Sequence, residues 1–413
     1  MDLKQRLTLL RQQSGAAPLG EAAPLTPAGS ALEQRLQRLR APERPSPALS
    51  ERTAEVAELL QGAWVSDGLI VVDRTVPLGQ RHGRRLLAPV TAGQAPQPPL
   101  GQALPLEHTV FLDTETTGLA GGTGTLAFLV GMACIEGETL RLRQWFLTAF
   151  RGETALLEAV AAWIGQRQYL VTFNGKCFDA PLLTTRYRLA RLRDPLVDLQ
   201  HIDLFHPTRR AFQRQWPDCR LLTAEQRLLG FQRQDDLPSH LVPETWFAFV
   251  RRGVTRRLPA LLHHNRWDLV SLVALLPALA EVFVRPHEHG ADILAVARYW
   301  RSQGDEATAL AHLQQHEAAL DAAGLLELAL CYKRQHCWEA ALAIWQRLAA
   351  RHCPQALEHL AKYHEHVRRD YPAALTYTCR LQALEPQNAA HAQRLARLSG
   401  KLGQGRAALE AYT

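Results

Sequence analysis

The stretch Val110-Phe-Leu-Asp-Thr-Glu-Thr-Thr-Gly118 passes from apolar to acidic and polar within nine residues. A short apolar run that stops on an acid reads as a buried strand whose last residues emerge at the edge of a sheet. Side chains alternate along a strand, so Asp113 and Glu115 share a face. Two carboxylates about 4 Å apart at an effective dielectric near 20 repel by roughly 4 kcal/mol. A divalent cation removes that repulsion, and hard oxygen ligands suit Mg²⁺ and Mn²⁺. Taken alone, the pair also fits a solvated strand end closed by the glycine-rich turn Leu119-Ala-Gly-Gly-Thr-Gly124.

Outward from this strand, 126–135 reads as a second strand, and 140–147 alternates like a third. Residues 154–166 have helical spacing, with Leu156, Leu157, Val160 and Trp163 on one face. Tyr169-Leu-Val-Thr-Phe173 is a fourth strand, 178–192 a helix ending in arginines, and His201-Ile-Asp-Leu204 a fifth strand. The remainder to about residue 284 is mostly helical. This order predicts an α/β domain over 108–286.

Two further motifs carry chemistry. In Asn174-Gly-Lys-Cys-Phe-Asp179-Ala-Pro-Leu-Leu, a strand ends on Asn174 and Asp179 opens the next helix. An acid there is also a common helix cap. In His264-Asn-Arg-Trp-Asp268, positions i and i+4 of a helix bring an imidazole beside a carboxylate. His263, one residue earlier, faces elsewhere and is the reference for a histidine without a catalytic role.

D-x-E, then N-x-x-x-F-D, then H-x-x-x-D, in that order, resembles the DEDDh (DnaQ-like) 3′–5′ exonucleases of the ribonuclease-H-like superfamily. The resemblance covers about 108–284 and is nearest to a bacterial YprB-like subgroup. The Asn174 motif is also similar to the proofreading domains of family B polymerases, which usually carry tyrosine in place of His264. The resemblance implies a mixed central sheet flanked by helices, and two divalent cations, Mg²⁺ or Mn²⁺, held by Asp113, Glu115, Asp179 and Asp268. Such metals sit roughly 3.5–4 Å apart and stabilise the entering and leaving oxygens of an in-line displacement. His264 would be the general base for the attacking water, since imidazoles change charge near neutral pH. Thr116, Thr117, Gly118 and Leu119 match positions that line the 3′-terminal nucleotide, and Asn174 and Phe178 match positions near the scissile end. The implied partner is DNA or RNA at its 3′ end. The alternative is a module that binds a nucleic-acid end, or a scaffold, recruiting a protein through its helical tail.

Residues 1–51 mix proline/alanine segments with a short helix over 31–39 and read as a mobile arm. Residues 52–107 read as a small irregular segment, with a strand at Gly68-Leu-Ile-Val-Val-Asp73 and a linker over 92–105. Past Gly290 a repeat replaces the strand signal. Ala297, Ala329 and Ala361 recur at a spacing of 32, as do Ala309, Ala341 and Ala373, and Leu313, Trp345 and Tyr377. Small residues at fixed places let paired helices pack closely, so 291–413 resembles tetratricopeptide (TPR) repeats with a shortened period. The turn Arg285-Pro-His-Glu-His-Gly290 reads as an interdomain connection.

Of 47 basic residues only five are lysine, and the net charge is +7. Arginine forks suit phosphate, so Arg186, Arg188, Arg191, Arg193, Arg209, Arg210, Arg214, Arg251, Arg252, Arg256 and Arg257 are candidates for tracking a nucleic-acid backbone. Asp203, at a strand end, is a candidate for a supporting role. Seven cysteines without a C-x-x-C pair argue against a disulfide framework or zinc site, and a cytoplasmic protein is expected. The longest nearly apolar run, Leu269–Ala280, is too short to span a bilayer, which needs about twenty residues, so no membrane partner is expected. The first residues show no secretory signal and the chain no polymerase domain.

Overall fold

The structure is a computed structural model and describes residues 49–87, 104–118 and 124–410. The chain divides into two compact units, Met1–Arg52 and Thr53–Thr413, and nearly all the described residues belong to the second. Most of the expected arm, its helix at 31–39 and most of the linker expected over 92–105 lie outside the described residues, while residues 49–51 of the arm begin a helix.

The strands are β1 (Ala63–Ser66), β2 (Leu69–Pro77), the hairpin β3 (Arg81–His82) and β4 (Arg85–Leu86), β5 (Thr109–Thr116), β6 (Ala127–Glu136), β7 (Thr139–Leu147), β8 (Tyr169–Thr172) and β9 (Gln200–Asp203). Seven of them form one sheet in the order β1-β2-β7-β6-β5-β8-β9. β5 is parallel to β8, and β8 to β9, while the other neighbours are antiparallel. The five strands read from the sequence in this domain are present within a residue or two. The sheet also reaches back to 63–77, which the sequence pattern assigns to a separate segment. β2 pairs with β7 from Leu69↔Leu147 to Pro77↔Thr139. Leu69 to Val72 are all buried, so this strand lacks the alternation that would have announced its place in the sheet.

The helices are α1 (Leu49–Leu60), α2 (Glu153–Ile164), α3 (Asp179–Leu189), α4 (Phe205–Phe212), α5 (Leu221–Ala224, running into a π turn at Glu225–Leu229), α6 (Val242–Arg252) and α7 (Leu258–Val284). The predicted face of α2 is inside: Leu156, Leu157 and Val160 are buried against Trp145, Tyr187 and Trp246. A second core joins Phe111, Leu142, Val171 and Phe212 to α7 from Leu269 to Phe283. Each such side chain contributes about 1.5–3 kcal/mol on leaving water. α7 has 27 residues and is long and apolar enough to cross a membrane, but 72% of its most apolar stretch is buried inside the fold. Beyond Asp268 it is a core helix, mostly apolar because protein surrounds it.

One row of the sheet places α7 over the candidate site. Val72, Gln144, Gly131 and Asp113 are successive cross-strand partners. Asn265 of α7 lies on Gly131, where a Cβ would come within 2.1 Å of its Oδ1. From there its Nδ2 donates to Asp113 Oδ2 (2.7 Å), and its Oδ1 accepts from Gln144 Nε2 (2.8 Å). Gly131→Ala is therefore expected to cost about 1–3 kcal/mol, the usual range for overpacking a core. A urea titration with and without Mn²⁺ checks this. A neutral result would mean that α7 is not seated by this contact.

Beyond a 3₁₀ turn at Pro286–His289 come α8 (Ile293–Ser302), α9 (Glu306–Gln315), α10 (Ala322–Arg334), α11 (Trp338–Ala350), α12 (Pro354–Tyr363), α13 (Tyr371–Leu384) and α14 (Ala389–Glu410). Consecutive helices pack on one another. Trp300 Nε1 donates to the Phe283 carbonyl (3.0 Å) and ties α8 to the end of α7. The repeated alanines Ala297, Ala309, Ala329, Ala341 and Ala361 are buried. In the third unit Ala374 is buried instead of Ala373, one position out of register, after a π turn at His364–Arg368.

Candidate active site

β5 delivers Asp113 and Glu115 on its α7-facing side, because the alternation that buries Phe111 continues past it. Thr114 points the other way, and its hydroxyl donates to Asp179 Oδ1 at the start of α3. α7 supplies His264 and Asp268 one turn apart. His264 Nε2 lies 3.8 Å from Glu115 Oε1 and 3.6 Å from Asp268 Oδ2. Ligand atoms of Glu115, His264 and Asp268 all fall within 4.8 Å of one another, close enough to share one ion.

The electrostatics of this cluster are unfavourable without a cation. Burial first, then the charges of Asp268, Glu115 and Asp179, hold the Asp113 carboxyl well above its ordinary range. Burial and then Asp268 and Asp179 do the same to Glu115. Burial raises Asp179 to about 6 against the opposing hydrogen bond from Thr114. Each acid resists charging because low polarity and like charges penalise the ionised form. The carboxylate oxygens of this cluster fit a hard divalent cation such as Mg²⁺ or Mn²⁺, with the His264 imidazole beside them.

Further side chains, which carry no signal in the sequence motifs, hold this set in place. Arg233 is almost wholly buried and forks onto Glu225 (2.6 and 2.8 Å), reaches Asp236 (3.2 Å) and pairs with Asp268 Oδ1. Its pKa is raised because these carboxylates outweigh the burial that opposes its charge. Asp236 Oδ1 lies 2.7 Å from His264 Nδ1, closer than Arg233 at 3.4 Å. We assign Nδ1–H as the donor to Asp236, which leaves the Nε2 lone pair facing Glu115 and Asp268. Behind Arg233, Ser271 donates to Glu225 Oε1 (2.5 Å), and His82 of β3 lies 2.8 Å from the Ser271 hydroxyl. Burial and Arg233 lower the His82 pKa to about 4, so it is neutral at pH 7 and donates to Ser271. Arg233 and Asp236 sit in the aperiodic segment Gln232-Arg-Gln-Asp-Asp-Leu237, which has no periodic pattern to mark it. Asn265 was within reach, since it adjoins His264.

A cavity of about 550 Å³ adjoins the acids. Asp113, Thr116, Gly118, Asn174, Phe178 and Asp179 are among its lining residues. Phe178 is half exposed at its rim, a ring free to stack. Thr117 is not in the lining: its backbone N–H donates to the Leu126 carbonyl, and its hydroxyl accepts from Leu126 N–H (each 3.0 Å). Leu119 lies outside the described residues. Asn174 has φ of 66°, a left-handed conformation that asparagine tolerates. Asp203 fixes this turn by accepting from the backbone N–H groups of Asn174 (2.6 Å) and Lys176 (2.9 Å), the supporting role expected of it.

Several of the arginines expected to track phosphate have partners within the protein, mostly in solvent-exposed pairs. Arg186 pairs with Glu153, Arg193 with Asp198 and Arg214 with Asp292. Arg251 lies over the Phe247 ring.

A mixed sheet, a helix laid across it and acids at the end of an inner strand define a ribonuclease-H-like domain. Residues 110–280 match a family described as the RNase_H superfamily. The chain is 32% identical over 277 residues to the uncharacterized protein YprB of Bacillus subtilis, covering 64% of this chain and 67% of that one. It belongs to the family of that protein. The family B DNA polymerase of Pyrobaculum calidifontis gives a TM-score of 0.37 at 14% identity, covering 69% of this chain and about a third (35%) of the polymerase.

Proposed function

We propose that this protein is a metal-dependent 3′–5′ exonuclease that hydrolyses phosphodiester bonds of DNA or RNA. The observation that carries the reading is the meeting of Asp113, Glu115, Asp179, His264 and Asp268, from three distant segments, beside a cavity with an exposed aromatic rim. Like charges gathered this way cost stability unless cations are bound, so the arrangement serves chemistry rather than packing. Asp113, Glu115, Asp179 and Asp268 would hold two cations, Mg²⁺ or Mn²⁺. These would supply charge stabilisation for an in-line phosphoryl displacement.

The chain's own residues do the remainder. Asp236 holds the His264 ring so that Nε2 accepts the proton of the attacking water. Asn265 fixes the Asp113 carboxylate, and Phe178 offers its ring to the terminal base. The helical tail, read as TPR-like, is proposed as a surface for a protein partner. All seven cysteines are free, which supports a reducing, cytoplasmic setting.

The test is a panel of 3′-labelled DNA and RNA strands with free and blocked 3′ ends, incubated with Mn²⁺ and with EDTA. Digestion of free ends in Mn²⁺ alone is expected. Full-length protein that digests no strand with any divalent ion overturns the reading. His264→Ala is expected to lower turnover by roughly 10²–10⁴, the usual worth of a general base, with a much smaller loss of Mn²⁺ affinity by calorimetry. Equal losses of both would make His264 a ligand instead.

A further inference from the structure

The first turns of α7 separate two cavities. On one flank lies the acidic site. On the other, Gln61, Val72, Arg74, Gln144, His263 and Arg266 help to line an open cleft of about 380 Å³. The cleft's described lining includes two arginines and no carboxylate.

Arg266 is half-buried, and among the described residues it has no hydrogen-bond or ion-pair partner. The buried arginines elsewhere in the domain behave differently: Arg233 and Arg186 are each forked onto carboxylates. Arg74 lines the same cleft, fixed by the carbonyls of Leu60 (3.0 Å), Gln61 (3.1 Å) and Asp73 (2.9 Å) and by Gln61 Oε1 (3.1 Å), so it offers the cleft its charge and its Nε–H. The Arg266 guanidinium, with the charge of Arg74 lining the same cleft and no carboxylate in the described lining, makes a site for an anion with several acceptor oxygens.

The sheet sets the distance to the catalytic acids. Gln144 and Val72 share the cross-strand row of Asp113, two and three strand spacings away, about 10 and 14 Å. A stacked strand advances about 3.4 Å per nucleotide, and because α7 lies over this row a strand joining the two cavities must pass around the helix and needs more than about four nucleotides.

We propose that the Arg74/Arg266 cleft binds a backbone phosphodiester of the nucleic acid whose end lies in the acidic site. This rests on the exonuclease reading for the occupant, but its test does not require hydrolysis. Full-length protein in EDTA is titrated into a fluorescein-labelled single strand long enough to cross both cavities, and anisotropy is followed against salt. Arg266→Gln is expected to weaken binding roughly tenfold, about the loss of one charge-assisted hydrogen bond. The slope of log K against log salt should fall by about 0.7, one single-strand phosphate contact. Arg266→Lys should keep the slope. Because Arg266 has no partner among the described residues, Arg266→Gln should leave the thermal midpoint unchanged or higher. Hydrolysis of a dinucleotide, too short to reach the cleft, should also be unchanged.

Unchanged affinity and slope in Arg266→Gln overturn the proposal. Protection of the wild type by inorganic phosphate, with strand affinity unaltered in Arg266→Gln, would reveal a small-anion site and overturn the backbone assignment too. If the wild type digests nothing yet the slope still falls in Arg266→Gln, the exonuclease reading fails and the cleft stands.

Discussion

Asp113→Asn is expected to abolish Mn²⁺-dependent digestion of a 3′-labelled strand while making the metal-free protein more stable. The activity loss should be on the order of 10⁴-fold, as when one member of an interdependent catalytic set is removed. Stability should move the other way, because the wild-type carboxyl is held well above its ordinary range by burial and by Asp268, Glu115 and Asp179. An acid whose folded pKa is raised has no effect on stability below its unfolded value. It destabilises the fold progressively as pH rises towards the folded value, and fully above it. Asp179, raised to about 6, reaches its full cost above that pH. The midpoint gap between Asp113→Asn and wild type should therefore widen from pH 5 to pH 8 in EDTA. Comparing the two proteins removes the opposite trend from His82 and His201, both lowered to about 4, which destabilise the fold as pH falls below their unfolded values. Saturating Mn²⁺ should close or reverse the gap, since only the wild type regains the missing positive charge. Calorimetric scans at several pH values check this. A variant less stable than wild type in EDTA at pH 8 would mean that the acids are not in mutual conflict.

What the sequence showed and what it hid have physical reasons. Acids at strand and helix ends are visible because the alternation of β5 and the i, i+4 spacing of α7 are local rules. The sheet's extension to β2 was hidden because Leu69–Val72 are buried throughout, leaving no period-two signature. The arginine excess invited a reading of surface phosphate contacts. Part of it instead neutralises buried acids: Arg298, Arg301 and Arg334 surround Glu327, and Arg394 and Arg397 surround Glu365. The register slip at Ala374 was invisible because a π turn adds a residue without changing composition. The cage around His264 was hidden for a related reason. Arg233 and Asp236 reach it from a loop, and loop contacts have no period.

That cage sets the second large effect. Arg233→Met is expected to destabilise the protein by about 3–5 kcal/mol, the cost of removing one partner of a buried ion pair. Glu225 is fully buried and, among the described residues, would keep only Ser271 as a side-chain donor. Burial already raises its pKa against the pull of Arg233, so it would take up a proton more readily in the variant. Asp268 would lose the guanidinium on its Oδ1 and face Glu115 and Asp113 with no internal cation. The same contact leaves Oδ2 on the His264 side, so removing it should free Asp268 to turn and weaken Mn²⁺ binding as well. Glu225→Gln alone should be mild, and the double variant should recover part of the loss, because the charge left without a partner is then gone. Urea unfolding of the four proteins gives the coupling energy directly. A loss below about 1 kcal/mol for Arg233→Met would place this pair among solvated surface bridges. It would then fall to Asp236 alone to orient His264.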